Sequence, residues 1–341
     1  MKPDVLAALP IVAATLVIAF AAAFAVTPYV RRLAQTVGML DETGERRMHD
    51  IPRPRIGGIA VYLGFAFALF SAVGYLINAR YLRAPDLQNV HDVVGLIFGG
   101  TLILVVGVWD DVMGMKPRTK FVAQIVVALI SMLYGFRIDY FRDPFHHLAP
   151  VYLNAPWQFI PLTLLWYVGM MNAINFIDGL DGLLSGLTVI SGTFLLVISL
   201  SQNHPEIALL LAALVGGALG FLPFNFNPAK IILGDSGALF IGYVFATISI
   251  IGADKTAFTI SLIVPLIVLG LPILDTLAAI VRRTRAGKKI YEADRGHFHH
   301  QLIFRFGLNV RQAVLLIYVL CVALGLAALL LSGGLGALRL A

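Results

Sequence analysis

Five aspartates stand where apolar runs meet polar turns: Asp110 and Asp111, side by side directly after Val93–Trp109, then Asp178, Asp181 and Asp235. A carboxylate near hydrocarbon costs roughly 2.5–3.5 kcal/mol at mid-helix and less near the interface, so a gathered set implies a task. The task that fits is holding a divalent cation and a diphosphate. Adjacent carboxylates repel unless a cation lies beside them, which suits Asp110–Asp111 to magnesium–phosphate chemistry; interfacial capping is the alternative. Lys120 follows and either meets a phosphate or snorkels from the start of the next span. Asn172, Asn175 and Asp178 recur every three residues and walk along one side of a helix, with Gly179 and Gly182 permitting a tight turn around Asp181. Asp235, in Gly234-Asp235-Ser236-Gly237, is either the N-cap of the following helix or a magnesium ligand whose phosphates face that helix's positive end.

Two further connections carry candidate chemistry. The stretch from Gly38 to Gly58 holds Asp41 and His49 among mixed charges, with prolines that bar a helix through Ile51–Arg55; a solvated loop is its simplest reading. The stretch after Arg282 and Arg283 holds His297, His299 and His300. Zinc needs a regular ligand set that this run lacks. Imidazole and guanidinium together suit phosphate binding or protonation of a leaving group, and a basic loop facing lipid headgroups is the alternative.

These residues need a scaffold that places them together, and the composition says what kind. Of 341 residues, 59% are hydrophobic and only 13% charged, where soluble domains carry about 25% charged residues. The chain therefore reads as an all-α polytopic membrane protein. Runs of about 20 apolar residues predict ten transmembrane helices near 6-30, 57-78, 92-109, 121-137, 159-176, 183-201, 206-223, 237-252, 257-281 and 312-332. The first is too long for the apolar part of a signal peptide and is kept as a span. Alternating connections then put eighteen of the 25 lysines and arginines on one side, which the positive-inside rule makes cytoplasmic, with both termini periplasmic or extracellular. All five aspartates fall on that cytoplasmic face. The longest polar stretches are too short for an independent core, so residues 1-341 form a single integral-membrane domain. The lone Cys321 can close no intramolecular disulfide, and the net charge of +6 is accounted for by the inner loops without nucleic acid.

Six motifs in one order resemble the polyprenyl-phosphate N-acetylhexosamine-1-phosphate transferase superfamily, glycosyltransferase family 4, the group that includes MraY and WecA/TagO. They are Arg-Met-His-Asp-Ile-Pro-Arg-Pro-Arg-Ile-Gly-Gly at 47-58, Asp-Asp at 110-111 with Arg-Thr-Lys-Phe at 118-121, Asn-Ala-Ile-Asn-Phe-Ile-Asp-Gly at 172-179, Asn-Pro-Ala-Lys at 227-230, Gly-Asp-Ser-Gly at 234-237 and His-Phe-His-His at 297-300. The resemblance spans almost the whole chain. It implies transfer of a sugar 1-phosphate from a UDP-sugar to undecaprenyl phosphate, releasing UMP, with Mg2+ as cofactor and Mn2+ as a substitute.

Carried over by position, Asp235 corresponds to the metal ligand, while Asp110, Asp111, Asp178 and His297 correspond to catalytic groups. Asp41, His49, Lys120, Asn172, Asn175, Asp181, Arg282, Arg283, His299 and His300 correspond to substrate contacts. Gly114 stands where some relatives carry a third acid, and Ala238 where a serine often follows Gly-Asp-Ser-Gly. The expected chemistry is attack of the lipid phosphate, oriented or deprotonated by Asp110 or Asp111, on the β-phosphorus of the UDP-sugar; a two-step route through an aspartyl intermediate competes. His-Phe-His-His is closer to the WecA/TagO side than to an MraY-type phospho-MurNAc-pentapeptide transferase. That favours UDP-GlcNAc, or a related UDP-N-acetylhexosamine, for cell-envelope polysaccharide synthesis in the bacterial inner membrane. Membrane lipids are the other expected partners, and homodimerisation stays open. A secondary transporter of anionic substrates is the competing class, although transporters place polar groups near the bilayer midplane.

Overall fold

The computed structural model describes residues 3–41, 53–78, 87–141, 151–255, 265–285 and 297–332. These residues form helices α1 (Pro3–Thr36), α2 (Gly58–Asn78), α3 (Leu87–Met113), α4 (Pro117–Leu133), α5 (Pro156–Ile177), α6 (Leu183–Ser201), α7 (Pro205–Asn225), α8 (Gly234–Lys255), α9 (Gly270–Arg285), α10 (Phe298–Phe304) and α11 (Val310–Leu331). Two short antiparallel pairs complete the set: β1 (Leu40–Asp41) with β2 (Arg53–Pro54), and β3 (Tyr140–Phe141) with β4 (Val151–Tyr152). Proline begins α4, α5 and α7, where its missing N–H costs nothing and its fixed φ starts the turn. This is why α4 and α5 start a few residues before their apolar runs do.

Among the described residues, eight helices are long and apolar enough to cross a bilayer, against the ten spans expected. The two others fall short for different reasons. Helix α4 has 17 residues, which at 1.5 Å each reach about 25 Å, less than the roughly 30 Å of hydrocarbon. The 257-281 segment is divided: residues 265–268 are helical, Leu269 turns, and α9 runs from Gly270, while its first residues lie outside the described set.

Helix α8 is the axis of the bundle. It is apolar nearly all round and almost wholly buried, as a helix without a polar face must be, and it packs against α2, α3 and α5. A second cluster joins α7 to α1, α2 and α6. In lipid, helices associate by close packing, which needs small residues where backbones meet. Methyl groups built on Gly216 and Gly220 of α7 or Gly64 of α2 would overlap the Ala19–Ala23 stretch of α1 or its neighbours. Polar side chains inside the bundle find partners: Tyr243 with Ser131 at 3.0 Å, Tyr167 with Thr247 at 3.0 Å and Trp166 Nε1 with Ser249 at 3.0 Å. Such pairing is what hydrocarbon demands of buried donors.

One end of this bundle collects the described turns that hold candidate residues. There α1, α3, α5, α7 and α9 end while α2, α4, α6, α8 and α11 begin. Residues 53–58 are bonded on both sides at this end. Arg55 N donates to Met39 O at 3.1 Å, while Ile232 N donates to Pro54 O at 2.9 Å and Gly58 N to Leu233 O at 2.8 Å. This ladder lays Arg53 and Arg55 across the helix ends.

Candidate active site

Gly234 has φ +77°, a left-handed backbone that places the first turn of α8 against the last turn of α3. A methyl on Gly234 would overlap the Asp111 carboxylate. With none there, Asp111 caps α8 from a different helix: Asp235 N–H donates to its Oδ1 at 2.8 Å and Ser236 N–H to its Oδ2 at 2.9 Å. Arg55 Nε donates to the same Oδ1 at 2.8 Å, and the Asp111 side chain is fully buried. The capping role that the sequence offers to Asp235 is thus performed by Asp111.

Asp235 is freed to face its neighbours. Asn175 Nδ2 donates to its Oδ1 at 2.6 Å, Lys120 Nζ lies 3.0 Å from its Oδ2, and Arg55 stands 3.6 Å away. Lys120 also reaches Asp110 Oδ2 at 2.9 Å and Asn175 Oδ1 at 3.4 Å. Asp110 Oδ1 accepts from Met115 N–H at 2.7 Å, fixing the turn between α3 and α4. Three oxygens from three helices therefore converge on one ammonium. Two carboxylates and an amide carbonyl form the hard oxygen set that a divalent cation takes, so these residues fit magnesium. Among the described residues, no group of three His, Cys, Asp or Glu side chains gathers within ligand range. Such a sparse protein set suits magnesium, which keeps water or phosphate oxygens for its other positions.

Asp178 ends α5 beside this cluster. Burial, then the charges of Asp235 and Asp111, push its carboxyl up to about 8, so it holds a proton at neutral pH. Asn172 sits one turn back along α5 and donates to Gln124 of α4 at 2.6 Å and to Val168 O at 2.8 Å. The expected polar side of α5 therefore divides: Asn175 joins the carboxylates, while Asn172 ties α5 to α4.

Asp181 lies in a separate, buried knot. Its Oδ2 accepts from Arg53 at 2.5 Å, Asn227 Nδ2 at 3.0 Å and Ala229 N–H at 3.0 Å. Asn225 backs it by accepting from Gly182 N–H and Ser185 and donating to Ile231 O. These bonds hold the turns before α6 and α8, so Asp181 organises the loop that leads into Gly234.

The histidines form a third group. Asp275 of α9, 8% exposed, accepts from His297 Nδ1 at 2.9 Å and from Phe298 N–H at 2.9 Å. The His297 ring lies 5.9 Å from that of Phe176, over which Arg283 also sits at 5.5 Å. His299 is buried with its Nε2 against Gly179, where a methyl would collide. Burial, then neighbouring His300, pushes His299 down to about 3, so it is neutral across the physiological range. The His300 ring lies tilted against that of His299, centroids 4.3 Å apart. Arg282 is half-buried near the end of α9, where cations suit the helix dipole. His49 lies outside the described residues, and Asp41 is described by its backbone alone, paired with Arg53.

Three charged residues in these networks are absent from the sequence-based set, Arg53, Arg55 and Asp275, as are the amides Gln124, Asn225 and Asn227. Asp275 carried a legible signal, a lone carboxylate inside the apolar run 257-281. The two arginines stand inside the 47-58 motif, which marks the stretch without singling them out.

Comparison with known proteins bears on this arrangement. The model of glycosyl transferase family 4 matches residues 93–253, the stretch containing Asp110, Asp111, Lys120, Asn175, Asp178 and Asp235. A Bacillus subtilis protein described as a probable undecaprenyl-phosphate N-acetylglucosaminyl 1-phosphate transferase is 36% identical over 90% of this chain and 81% of its own length. The chain belongs to glycosyl transferase family 4. This family 4 chain is also 36% identical to the decaprenyl-phosphate N-acetylglucosaminephosphotransferase of Mycolicibacterium smegmatis, over 86% of this chain and 75% of that protein. It is 28% identical to the undecaprenyl-phosphate alpha-N-acetylglucosaminyl 1-phosphate transferase of Escherichia coli K12, over 85% and 75%. The relatives' shared chemistry lies on the branch that the His-Phe-His-His stretch of this family 4 chain already favoured.

Proposed function

We propose that the chain transfers N-acetylglucosamine 1-phosphate from UDP-N-acetylglucosamine to a polyprenyl phosphate such as undecaprenyl phosphate, releasing UMP. The reaction takes place on the cytoplasmic face of the bacterial inner membrane and depends on magnesium. The observation that carries this reading is the convergence of Asp110, Asp235 and Asn175 on the Lys120 ammonium, at the end of the bundle that also holds the basic connections. Donor and acceptor are both phosphates, and such a cluster answers their charge. The relatives' activities and the balance of basic residues support the same assignment and orientation.

Asp235 and Asp110 would hold the metal, with Asn175 orienting Asp235. When bound, the cation neutralises charge on the diphosphate and so favours departure of UMP. Lys120 then supplies a mobile positive charge for the phosphates in place of its carboxylate partners. Asp111 is fully committed to α8 and Arg55, which leaves Asp110 as the member of the pair able to orient the lipid phosphate or accept its proton. That phosphate attacks the β-phosphorus in line, the bond to the UMP oxygen breaks, and the basic and imidazole groups near Phe176 receive the charge that leaves.

The test is release of labelled UMP from UDP-N-acetylglucosamine by the purified chain, with and without magnesium and polyprenyl phosphate. Release that needs all three components is the expected result. An absence of UMP release with any UDP-sugar, together with uptake of an anionic substrate into vesicles, would overturn the assignment in favour of transport.

A further inference from the structure

The geometry points to Asp275 as a positioning residue that sets which nitrogen of His297 is presented to the transferred phosphate groups. The inference rests on the proposed phosphoglycosyl transfer, and it concerns a residue that contacts no substrate. Asp275 projects from α9 and its two oxygens are divided between two donors, His297 Nδ1 at 2.9 Å and Phe298 N–H at 2.9 Å. The Phe298 bond also fixes the backbone at the start of α10, so one carboxylate sets both the position of the loop and the rotation of the ring. A carboxylate can only accept, hence Nδ1 must carry the proton whatever charge the ring bears. Nε2 is left as the one nitrogen able to face the diphosphate.

Among the described residues, no other group is placed to do this. Both residues are buried, 8% and 6% exposed. Among the described residues, the groups packed around the imidazole are Phe176 at 5.9 Å, His299 stacked at 5.8 Å and, beyond Phe176, Arg283. None of them accepts a hydrogen bond from Nδ1. Without a carboxylate here the ring could rotate or exchange tautomers, and a donor aimed at a developing oxyanion would lose its preorganisation.

The test is Asp275→Asn. The amide oxygen keeps the Phe298 N–H, while the amide nitrogen faces Nδ1 and forces it to accept, moving the ring proton to Nε2. Nitrogen-15 spectra of histidine-labelled protein, with the His297 signals identified by their loss in His297→Gln, read the tautomer directly. The expected result is Nδ1 protonated in the parent chain and unprotonated in Asp275→Asn. In UMP release, Asp275→Asn is expected to lower kcat about 100-fold with KM changed by less than about threefold. In a His297→Gln background it should have no further effect on kcat, because its only route to the reaction is gone.

An unchanged tautomer, or the same fold-loss in both backgrounds, overturns the inference, since a purely architectural carboxylate would act independently of His297. If the parent chain releases no UMP, the proposed function falls. The tautomer measurement still decides the pairing.

Discussion

Replacing Asp111 by Asn separates two carboxylates that the sequence presents as equals. The Asp111 side chain is fully buried and accepts three bonds, from Asp235 N–H, Ser236 N–H and Arg55 Nε. An amide in its place must turn an NH2 toward one of these donors, leaving a buried N–H without an acceptor at about 1–3 kcal/mol. It also removes the negative charge opposite Arg55. Breaking a buried pair costs about 3–5 kcal/mol, but Arg55 is 26% exposed and retains Asp235, so the pair contributes near the bottom of that range. The two effects share one geometry and do not add fully, so Asp111→Asn is expected to lose about 3–4 kcal/mol. At about 2–4 °C per kcal/mol that lowers the thermal midpoint in detergent by roughly 6–16 °C. Asp110→Asn keeps an oxygen for Met115 N–H and loses the ionic contact to Lys120. It should leave the midpoint within about 3 °C while reducing UMP release at least 100-fold. The assay is paired thermal unfolding and activity on both variants. An Asp111→Asn protein as stable as the parent, or an Asp110→Asn protein destabilised as much, would refute the division of labour.

Other outcomes follow from the same contacts. Lys120→Met leaves the Asp110–Asp235–Asn175 oxygens without their ammonium; Mn2+ affinity measured by electron paramagnetic resonance should rise about tenfold, near 1.4 kcal/mol, while UMP release falls at least 100-fold. Gly107→Ala places a methyl on the backbone of Asp235 and Ser236, so it should cost about 1–3 kcal/mol of stability as an overpacking change and weaken Mn2+ binding with it. Asp178 titrates near 8 in the folded chain and near 4 when unfolded. The folded state therefore holds the extra proton between those values, and this group's contribution to stability falls as pH rises from 4 to 8. Asp178→Asn removes that loss, so in metal-free buffer its thermal midpoint relative to the parent should climb from pH 5 to pH 8; a pH-independent difference would contradict the assignment.

The apolar runs were legible because hydrocarbon admits few charges: composition and period alone mark α2, α3, α6, α8 and α11 within a few residues. The same physics gathers the helix ends, since alternating spans must return their turns to the same side. Where the sequence read less well, local propensity had competed with context. Proline at N1 moved the starts of α4 and α5, and the 257-281 run, uniform in hydropathy, turns at Leu269.

For the site, residue type was enough to nominate Asp110, Asp111, Asp178, Asp235 and the histidines, because carboxylates beside lipid and clustered imidazoles are costly without purpose. Their division was beyond it. Asp110 and Asp111 are neighbours in the chain, yet helical rotation of about 100° per residue sends one toward Lys120 and the other into the first turn of α8. Arg55 lies 56 residues before Asp111 and Asp275 lies 22 before His297; what joins them is the ladder along residues 53–58 and the packing of α9 against α5. The sequence by itself determined the membrane setting and the kind of chemistry, since these depend on solvation and charge, which each residue carries with it. Only the tertiary structure decided which carboxylate caps a helix, which faces a cation and which holds a histidine, because those roles depend on the hydrogen-bond partners that packing brings within about 3 Å.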